Sequence, residues 1–332
     1  MSARHVITGG NGFIGRHLAQ QLSALGEAIV IFDQNPPSAP LPPNTEYVQG
    51  DVRLESHLSR LRFGQNDIVY HLAARQFHAG VPRFGRDEWF AEVNTTGTSL
   101  LLDSMTRGGA ERLIFFSTDM VYGVPEQTPV PPDHPLRPLG PYGRSKAAAE
   151  KIMARHAKNG MKIVVFRPRL VTGAGRYGIL LRLFRLIESG LPVPMIGTGA
   201  NRYQMVAVHD CVDAALRSVE LGLPSGPFNL GSTAPPSVSE LLKHVIRHAR
   251  SRSRLVPTPA RLTKALCSAL DWAGLTLLYP EQFQIANLDY VVDTRRTAEV
   301  LSWGPKCSDH DMMIAAYEEY LRQAHGSHHR AR

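Results

Sequence analysis

Short apolar runs alternate with longer amphipathic stretches along the first two-thirds of the chain. Arg4 to Ile7 is a short apolar run that stops at Thr8-Gly9-Gly10-Asn11-Gly12-Phe13-Ile14-Gly15. Ile14, Leu18, Leu22 and Leu25 then recur at helical spacing, and Gly26 ends the segment. A second apolar run, Ala28 to Phe32, delivers Asp33. Further on, Tyr47-Val48 leads to Gly50-Asp51-Val52, and Asp67 to Leu72 leads to Ala73-Ala74. The pattern predicts a helix from Ala91 to Met105 and a strand from Leu113 to Phe116. Strands separated by helix-length segments mean βαβ units and a parallel sheet covered on both faces. Ligands of such sheets sit beyond the carboxyl ends of the strands, here Gly9, Asp33, Asp51, Ala73, Ser117 and Thr118.

The expected fold is therefore α/β: a seven-strand, doubly wound parallel sheet of the Rossmann type with a smaller, discontinuous C-terminal substrate-binding domain. Residues 1–168 plus 203–232 would form the nucleotide-binding domain, and 169–202 plus 233–324 the substrate-binding domain. Gly173, Gly175, Pro192, Pro194, Gly197 and Gly199 read as loops. The chain then returns with Val206-Ala207-Val208, a helix from Cys211 to Leu221 and the strand Phe228-Asn229-Leu230. Residues 325–332, basic and rich in Gly, Ser and His, read as a flexible tail. Leu262, Ala265, Leu266, Ala269, Leu270 and Ala273 make an apolar helical stripe, followed by Leu275, Leu277 and Leu278. Its plain reading is a lid helix packed on the small domain. A wall for a hydrophobic substrate, or a helix lying on a membrane surface beside Arg261 and Lys264, are the sharper ones.

Composition adds limits. The chain is 43% hydrophobic and 20% charged, an ordinary globular balance. A net charge of +8 could suggest a nucleic-acid partner, but the basic residues are scattered apart from a short run at Arg247–Arg254. Solubility or attraction of anionic small molecules accounts for it, and no nucleic acid is expected. Cys211, Cys267 and Cys307 lie far apart and outside any ligand spacing, so neither a disulfide framework nor a bound metal is expected. There is no leader pattern, and no apolar run approaches the roughly 20 residues of a membrane span. A cytoplasmic protein without membrane association is the expectation.

The glycine pattern carries chemistry because of where it stands. Gly9, Gly12 and Gly15 sit between a strand and a helix, followed by a second strand ending in an acid. Glycines there let the backbone approach a pyrophosphate whose charge is met by the helix N-terminus, and Asp33 is placed for ribose hydroxyls. A turn of purely structural use is the alternative. Gln34 and Asn35 follow Asp33, and nothing basic stands there for a 2′-phosphate, so NAD is favoured over NADP.

In Pro141-Tyr142-Gly143-Arg144-Ser145-Lys146, Tyr142 and Lys146 are four apart and share a helix face. A phenol titrates near 10, too high for a base at neutral pH; a neighbouring ammonium favours the phenolate. The pair is a weak motif alone and a strong one beside the glycine fingerprint. Together with HLAA at 71–74, Asn94 in NTTGT, STDMVYG at 117–123, Arg167-Pro168 and Val208-His209-Asp210, it resembles the extended short-chain dehydrogenase/reductases, in their NAD-dependent epimerase/dehydratase branch.

The resemblance implies a Thr118, Tyr142 and Lys146 triad, with Tyr142 as acid/base, Thr118 as hydroxyl donor and Lys146 on the nicotinamide ribose. It implies an NAD site lined by Gly9, Gly12, Phe13, Ile14, Asp33, Asp51, Val52, Leu72, Ala73, Ala74, Ser117 and Pro168, together with Tyr142 and Lys146 themselves. Asn94 would support the site from behind, or be an ordinary helix-start cap. A homodimer paired through the helices starting near Glu92 and Tyr142 is implied as well.

The family performs epimerisation, dehydration and simple oxidation or reduction. Its nucleotide-sugar 4,6-dehydratases carry Asp-Glu after the Thr; here Asp119 is followed by Met120, which disfavours dehydration and leaves Asp119 either an acid or a polar strand-end residue. The expected activity is epimerase-type chemistry on a secondary hydroxyl or ketone of a sugar or nucleotide sugar. The alternative is a 3β-hydroxysteroid dehydrogenase-like oxidoreductase on a hydrophobic alcohol, with an NAD-binding regulator further behind. Leu170 stands where nucleotide-sugar relatives place Asn, and Tyr203 where they place Arg. Arg169, Arg176, Arg182 or Arg202 could substitute.

Overall fold

A computed structural model of the chain describes residues 3–77, 80–173, 175–178 and 180–326. The chain opens with β1 (Arg4–Thr8), α1 (Phe13–Ala24), β2 (Ala28–Asp33), β3 (Thr45–Gln49), a single turn α2 (Glu55–Leu58) and β4 (Ile68–His71). It continues with α3 (Arg86–Ala91), α4 (Thr98–Gly108), β5 (Arg112–Phe116), α5 (Pro141–Lys158) and β6 (Lys162–Pro168). Then come β7 (Leu170–Thr172), α6 (Leu180–Glu188), β8 (Val193–Ile196), β9 (Met205–Ala207), α7 (Val208–Glu220) and β10 (Gly226–Leu230). The last stretch holds α8 (Val238–His248), β11 (Leu255–Thr258), α9 (Ala260–Trp272), α10 (Pro280–Phe283), α11 (Arg295–Leu301) and α12 (Asp309–Gly326).

Seven parallel strands form the main sheet in the order β10-β6-β5-β4-β1-β2-β3. The order reverses between β1 and β4, the place where such sheets bind ligands. Alternate residues of each strand feed opposite cores. Ile7, Ile29, Ile31 and Ile114 pack with Leu18 and Leu22 of α1 and Val212 and Ala215 of α7. Val6, Val30, Phe32 and Phe115 pack with Leu101, Leu102 and Met105 of α4 and Ala149 and Met153 of α5. Both faces are thus covered, each buried leucine contributing about 1.5–3 kcal/mol. A further core joins Phe184 and Ile187 of α6, Leu241 and Val245 of α8, and Met313 and Tyr317 of α12. Met205 and Ala207 of β9 belong to this core while Val206 faces the main one, so the two meet within one short strand.

Four expectations are corrected. The helix expected from Ala91 begins at Arg86, because Arg86-Asp87-Glu88 form a first turn with no apolar periodicity, and it is widened by a π turn at Glu92–Gly97. Of the positions read as loops, Pro194 stands inside β8, and between Gly175 and Pro192 the chain forms α6, whose Leu180, Phe184 and Ile187 reach the further core. The helix expected from Cys211 starts at Val208. The expected tail begins too early: α12 carries His325 and Gly326, and 327–332 lie outside the described residues.

Candidate active site

The glycine turn follows β1 directly. Gly9 has φ +71°, and a Cβ there would meet the Ala73 backbone at 2.6 Å, so glycine alone lets the ends of β1 and β4 come together. At Gly15 a Cβ would stand 2.6 Å from Gly10 Cα across the turn. Gly12 precedes α1 in extended conformation and brings no capping side chain, which leaves the first amides of α1, at Phe13 and Ile14, as donors for an anion. Asp33 closes the turn from β2: its carboxylate accepts from the amides of Asn11 and Asn35, each at 3.0 Å. Burial raises its pKa, and those amides oppose the rise.

Leu72, Ala73 and Ala74 run opposite the turn, with the Leu72 amide donating to the Thr8 carbonyl at 3.0 Å. His71 just before them belongs to the core, bonded to the hydroxyls of Thr8 (2.7 Å) and Thr98 (2.8 Å). Asp51 is gripped by Arg53 at 2.6 Å, which holds its carboxyl below the usual range. Val52 is buried against Gly97, where a Cβ would clash at 2.8 Å. Pro168 ends β6 beside Leu230 of β10.

Tyr142 and Lys146 lie one turn apart near the start of α5, both buried. Lys146 Nζ sits 4.0 Å from the centre of the Phe115 ring, and burial brings its pKa down to about 7, Glu150 opposing. Burial raises the Tyr142 phenol well above its ordinary value. The strongest force in the other direction is the charge of Arg176, helped by the Thr118 hydroxyl. In the chain itself Tyr142 is therefore held as the phenol. Arg176 also covers the Phe13 ring at 5.4 Å and donates to Gln76, so it bridges the glycine turn and the tyrosine.

Thr118 caps a short 3₁₀ turn, accepting from the Met120 amide and donating to Asp119 Oδ1, each at 3.2 Å. The Asp119 carboxylate is fully engaged: Arg169 Nη1 donates to it at 2.7 Å, and the guanidinium is held over the rings of Tyr290 and Tyr203. Burial pushes Asp119 up while Arg169 pulls it down. Ser117 faces away from this pair, donating to Glu150, which clamps Arg167; Arg167 in turn reaches Tyr122 at 2.9 Å.

Asn94 is not a helix-start cap. It lies within the π turn, where its side chain binds both backbone groups of Arg75 and donates to Ser145 Oγ at 2.9 Å. The cations expected to serve a charged substrate separate. Arg202 pairs with Asp289 at the surface, Arg182 donates to the Leu277 carbonyl, and Arg169 is spent on Asp119, which leaves Arg176 facing the tyrosine.

Two features escaped the sequence reading. Phe77 packs edge-on against Tyr142 (5.2 Å) and stacks on Tyr279 (4.7 Å), making an aromatic wall. Glu281 of α10 accepts from the Tyr142 and Gly143 amides. No motif spacing signals a contact between positions so distant in sequence.

A dinucleotide cradle at the switch point of a doubly wound sheet, with a Thr, Tyr and Lys set beyond it, defines an NAD-dependent enzyme of the extended short-chain dehydrogenase/reductase class. The chain belongs to the NAD dependent epimerase/dehydratase family, which matches residues 5–231. An uncharacterized protein of Sinorhizobium fredii is 31% identical over 335 residues, covering 98% of this chain and 82% of its own length. A UDP-glucose 4-epimerase of Lacticaseibacillus casei is 33% identical over 263 residues, 71% of this chain and 78% of that protein. Among solved structures, MoeE5 in complex with UDP-glucuronic acid and NAD is 25% identical with a TM-score of 0.75, covering 97% of this chain and 99% of its own.

Proposed function

We propose that this enzyme epimerises a secondary hydroxyl of a nucleotide sugar through a keto intermediate. The observation that supports it most is the engagement of the carboxylates around Tyr142. Asp119 is locked to Arg169, Glu281 is spent on two backbone amides, and the sequence has Met120 where the resemblance puts the Glu of the 4,6-dehydratases. Proton transfer at the reacting oxygen then falls to Tyr142, with Thr118 Oγ1 as hydrogen-bond donor to that oxygen. Bound NAD supplies the hydride acceptor. Oxidation and re-reduction need nothing more, whereas loss of water would need a further acid and base. Asp119 in this reading orients Thr118 and is not itself an acid.

Lys146 would hold the nicotinamide ribose, and Asp33 the adenosine ribose. Arg176 would meet the charged part of the substrate, replacing the cation that Tyr203 does not provide. The further core around α6, α8 and α12, residues 169–202 and 233–324, would be the substrate-binding unit.

A second reading, oxidation of a hydrophobic alcohol, is favoured by Leu170, Tyr203 and the wall of Phe77, Phe90 and Tyr279. The test is to incubate the protein with UDP-glucose, UDP-glucuronate and UDP-N-acetylglucosamine, follow the sugars by NMR, and identify the nucleotide released on denaturation. Epimer formation with near-stoichiometric bound NAD(H) is expected. A protein that purifies without nucleotide, leaves all three sugars unchanged and reduces added NAD with hydrophobic alcohols would overturn the first reading for the second.

A further inference from the structure

Helix α9 is built inside out. The side turned to the protein carries the helix's polar residues beside buried Cys267 and half-buried Leu270: Thr263 donates to Thr258 Oγ1, Lys264 to the Gln284 carbonyl, and Asp271 is held bidentately by Arg86 at 2.8 Å. The side turned away carries Leu262, Ala265, Leu266, Ala269 and Ala273, all exposed and spaced three or four residues apart. A helix packed on its own domain turns its apolar stripe inward. Here the polar contacts fix the opposite orientation, and the expectation of a lid helix packed by its stripe is overturned.

The patch extends past the helix. Leu262 is 69% exposed, Leu266 58%, Trp272 76% and Leu275 65%, and Phe84 of the loop before α3 is 75% exposed. Phe84 and Trp272 are joined through Arg83, whose guanidinium covers both rings at 5.0 and 5.6 Å. Large apolar side chains exposed together mark an interaction surface; scattered ones would not.

Its charge says what kind. Arg83, Arg182 and Arg261 are exposed around the patch, against Glu88 of α3. The nearby acids Asp271 and Asp87 are paired with Arg86 and Arg144. Leucines and a tryptophan with arginines at the border, on a chain of net charge +8, match an anionic lipid surface, where apolar side chains enter the headgroup boundary and cations meet the phosphates. The patch is also continuous with the site: Tyr279, beyond Leu275 and Leu277, stacks on Phe77, which packs against Tyr142.

We infer that α9 with the 83–84 loop is a docking surface for an anionic lipid bilayer, which brings the mouth of the active site to the membrane interface. Among the described residues no helix is long and apolar enough to cross a membrane, so the contact is peripheral. The inference stands apart from the choice of substrate.

The test is sedimentation of the full chain with phosphatidylcholine vesicles, with and without phosphatidylglycerol. Binding is expected to phosphatidylglycerol-containing vesicles and to weaken with salt, and the Trp272 emission should shift to the blue on binding. Leu266→Glu and Trp272→Ser should each lower vesicle affinity roughly tenfold while NAD affinity and melting temperature stay at wild-type values, since both side chains are exposed. Vesicle binding unchanged in both variants would overturn the proposal. So would absence of binding accompanied by a concentration-dependent dimer that Leu266→Glu dissociates, which would make the stripe a contact between copies of this chain. Absence of both binding and dimer would overturn it equally.

Discussion

The carboxylate of Glu281 accepts hydrogen bonds from the backbone amides of Tyr142 and Gly143, both at 3.1 Å. α5 begins at Gly140-Pro141 without a capping side chain of its own, so its amides at Tyr142 and Gly143 are satisfied from α10. A negative charge at that end also suits the helix dipole. Gly140 is part of the arrangement, because a Cβ there would stand 2.6 Å from the carboxylate.

Glu281→Ala is expected to cost about 1–2 kcal/mol of stability, the scale of a lost cap, and to lower kcat more than it weakens NAD. Glu281→Gln keeps an acceptor and should recover most of the loss. Thermal melts and initial rates measured together would show whether the cap positions Tyr142 or only stabilises the fold.

Tyr142→Phe removes the hydroxyl proposed to carry the proton and leaves the ring packed on Phe77. Turnover should fall about 10²–10⁴-fold, the contribution typical of acid–base catalysis, while NAD affinity changes little. Equilibrium dialysis beside an activity assay separates the two.

Asp33→Ala should weaken NAD more than NADP. The carboxylate accepts from the amides of Asn11 and Asn35 at the end of β2, where in the proposed reading a ribose hydroxyl would donate to it and a 2′-phosphate would be repelled. Titration of both cofactors by fluorescence gives the ratio, and equal losses would remove this basis for cofactor choice.

Asp119 and Arg169 form a buried ion pair, and breaking such a pair by removing one partner costs about 3–5 kcal/mol. Arg169→Met should therefore unfold at markedly lower urea. The double variant Asp119→Asn, Arg169→Met should be more stable than Arg169→Met alone, because it no longer buries an uncompensated carboxylate. If Asp119 acts only on Thr118, Asp119→Asn should retain more activity than Thr118→Val.

His71 provides a pH dependence of known sign. Burial, aided by Lys146, lowers its pKa from 6.5 to about 3. Between those values the unfolded chain binds a proton that the folded chain refuses, so this group removes stability as pH falls through the window. His71→Gln cannot protonate. It should be less stable at neutral pH, through weakened bonds to Thr8 and Thr98, yet lose less on acidification. Melting temperatures across the window decide it.

Much of the nucleotide half was legible because its signals are local. Gly9, Gly12, Gly15 and Asp33 lie within one strand-turn-helix-strand unit, and the unbroken apolar runs of β1 and β2 are what strands buried on both faces require. The register of Tyr142 and Lys146 is a helical repeat and could be read as such. What could not be read depends on contacts across long separations. Glu281 and Phe77 reach Tyr142 from opposite sides of the chain, and only the folded loops bring them there. α6 was hidden because Gly173, Gly175, Gly190 and Pro192 flank it. The orientation of α9 is not written in its periodicity for a different reason: the pattern reveals that a stripe exists, but the partners of Thr263, Lys264 and Asp271 decide which way it faces.

The π turn at Glu92–Gly97 has a consequence for how the family segment tolerates change in length. One residue more than an α-helical turn is accommodated there, and that excess aims Asn94 at Arg75 and Ser145. Deleting a single residue between Glu92 and Asn94 would restore regular winding to the helix while rotating the asparagine by about 100° off its partners. The helix would become more ideal, and the loop that carries Gln76 to Arg176 and Phe77 to Tyr142 would come loose from α5.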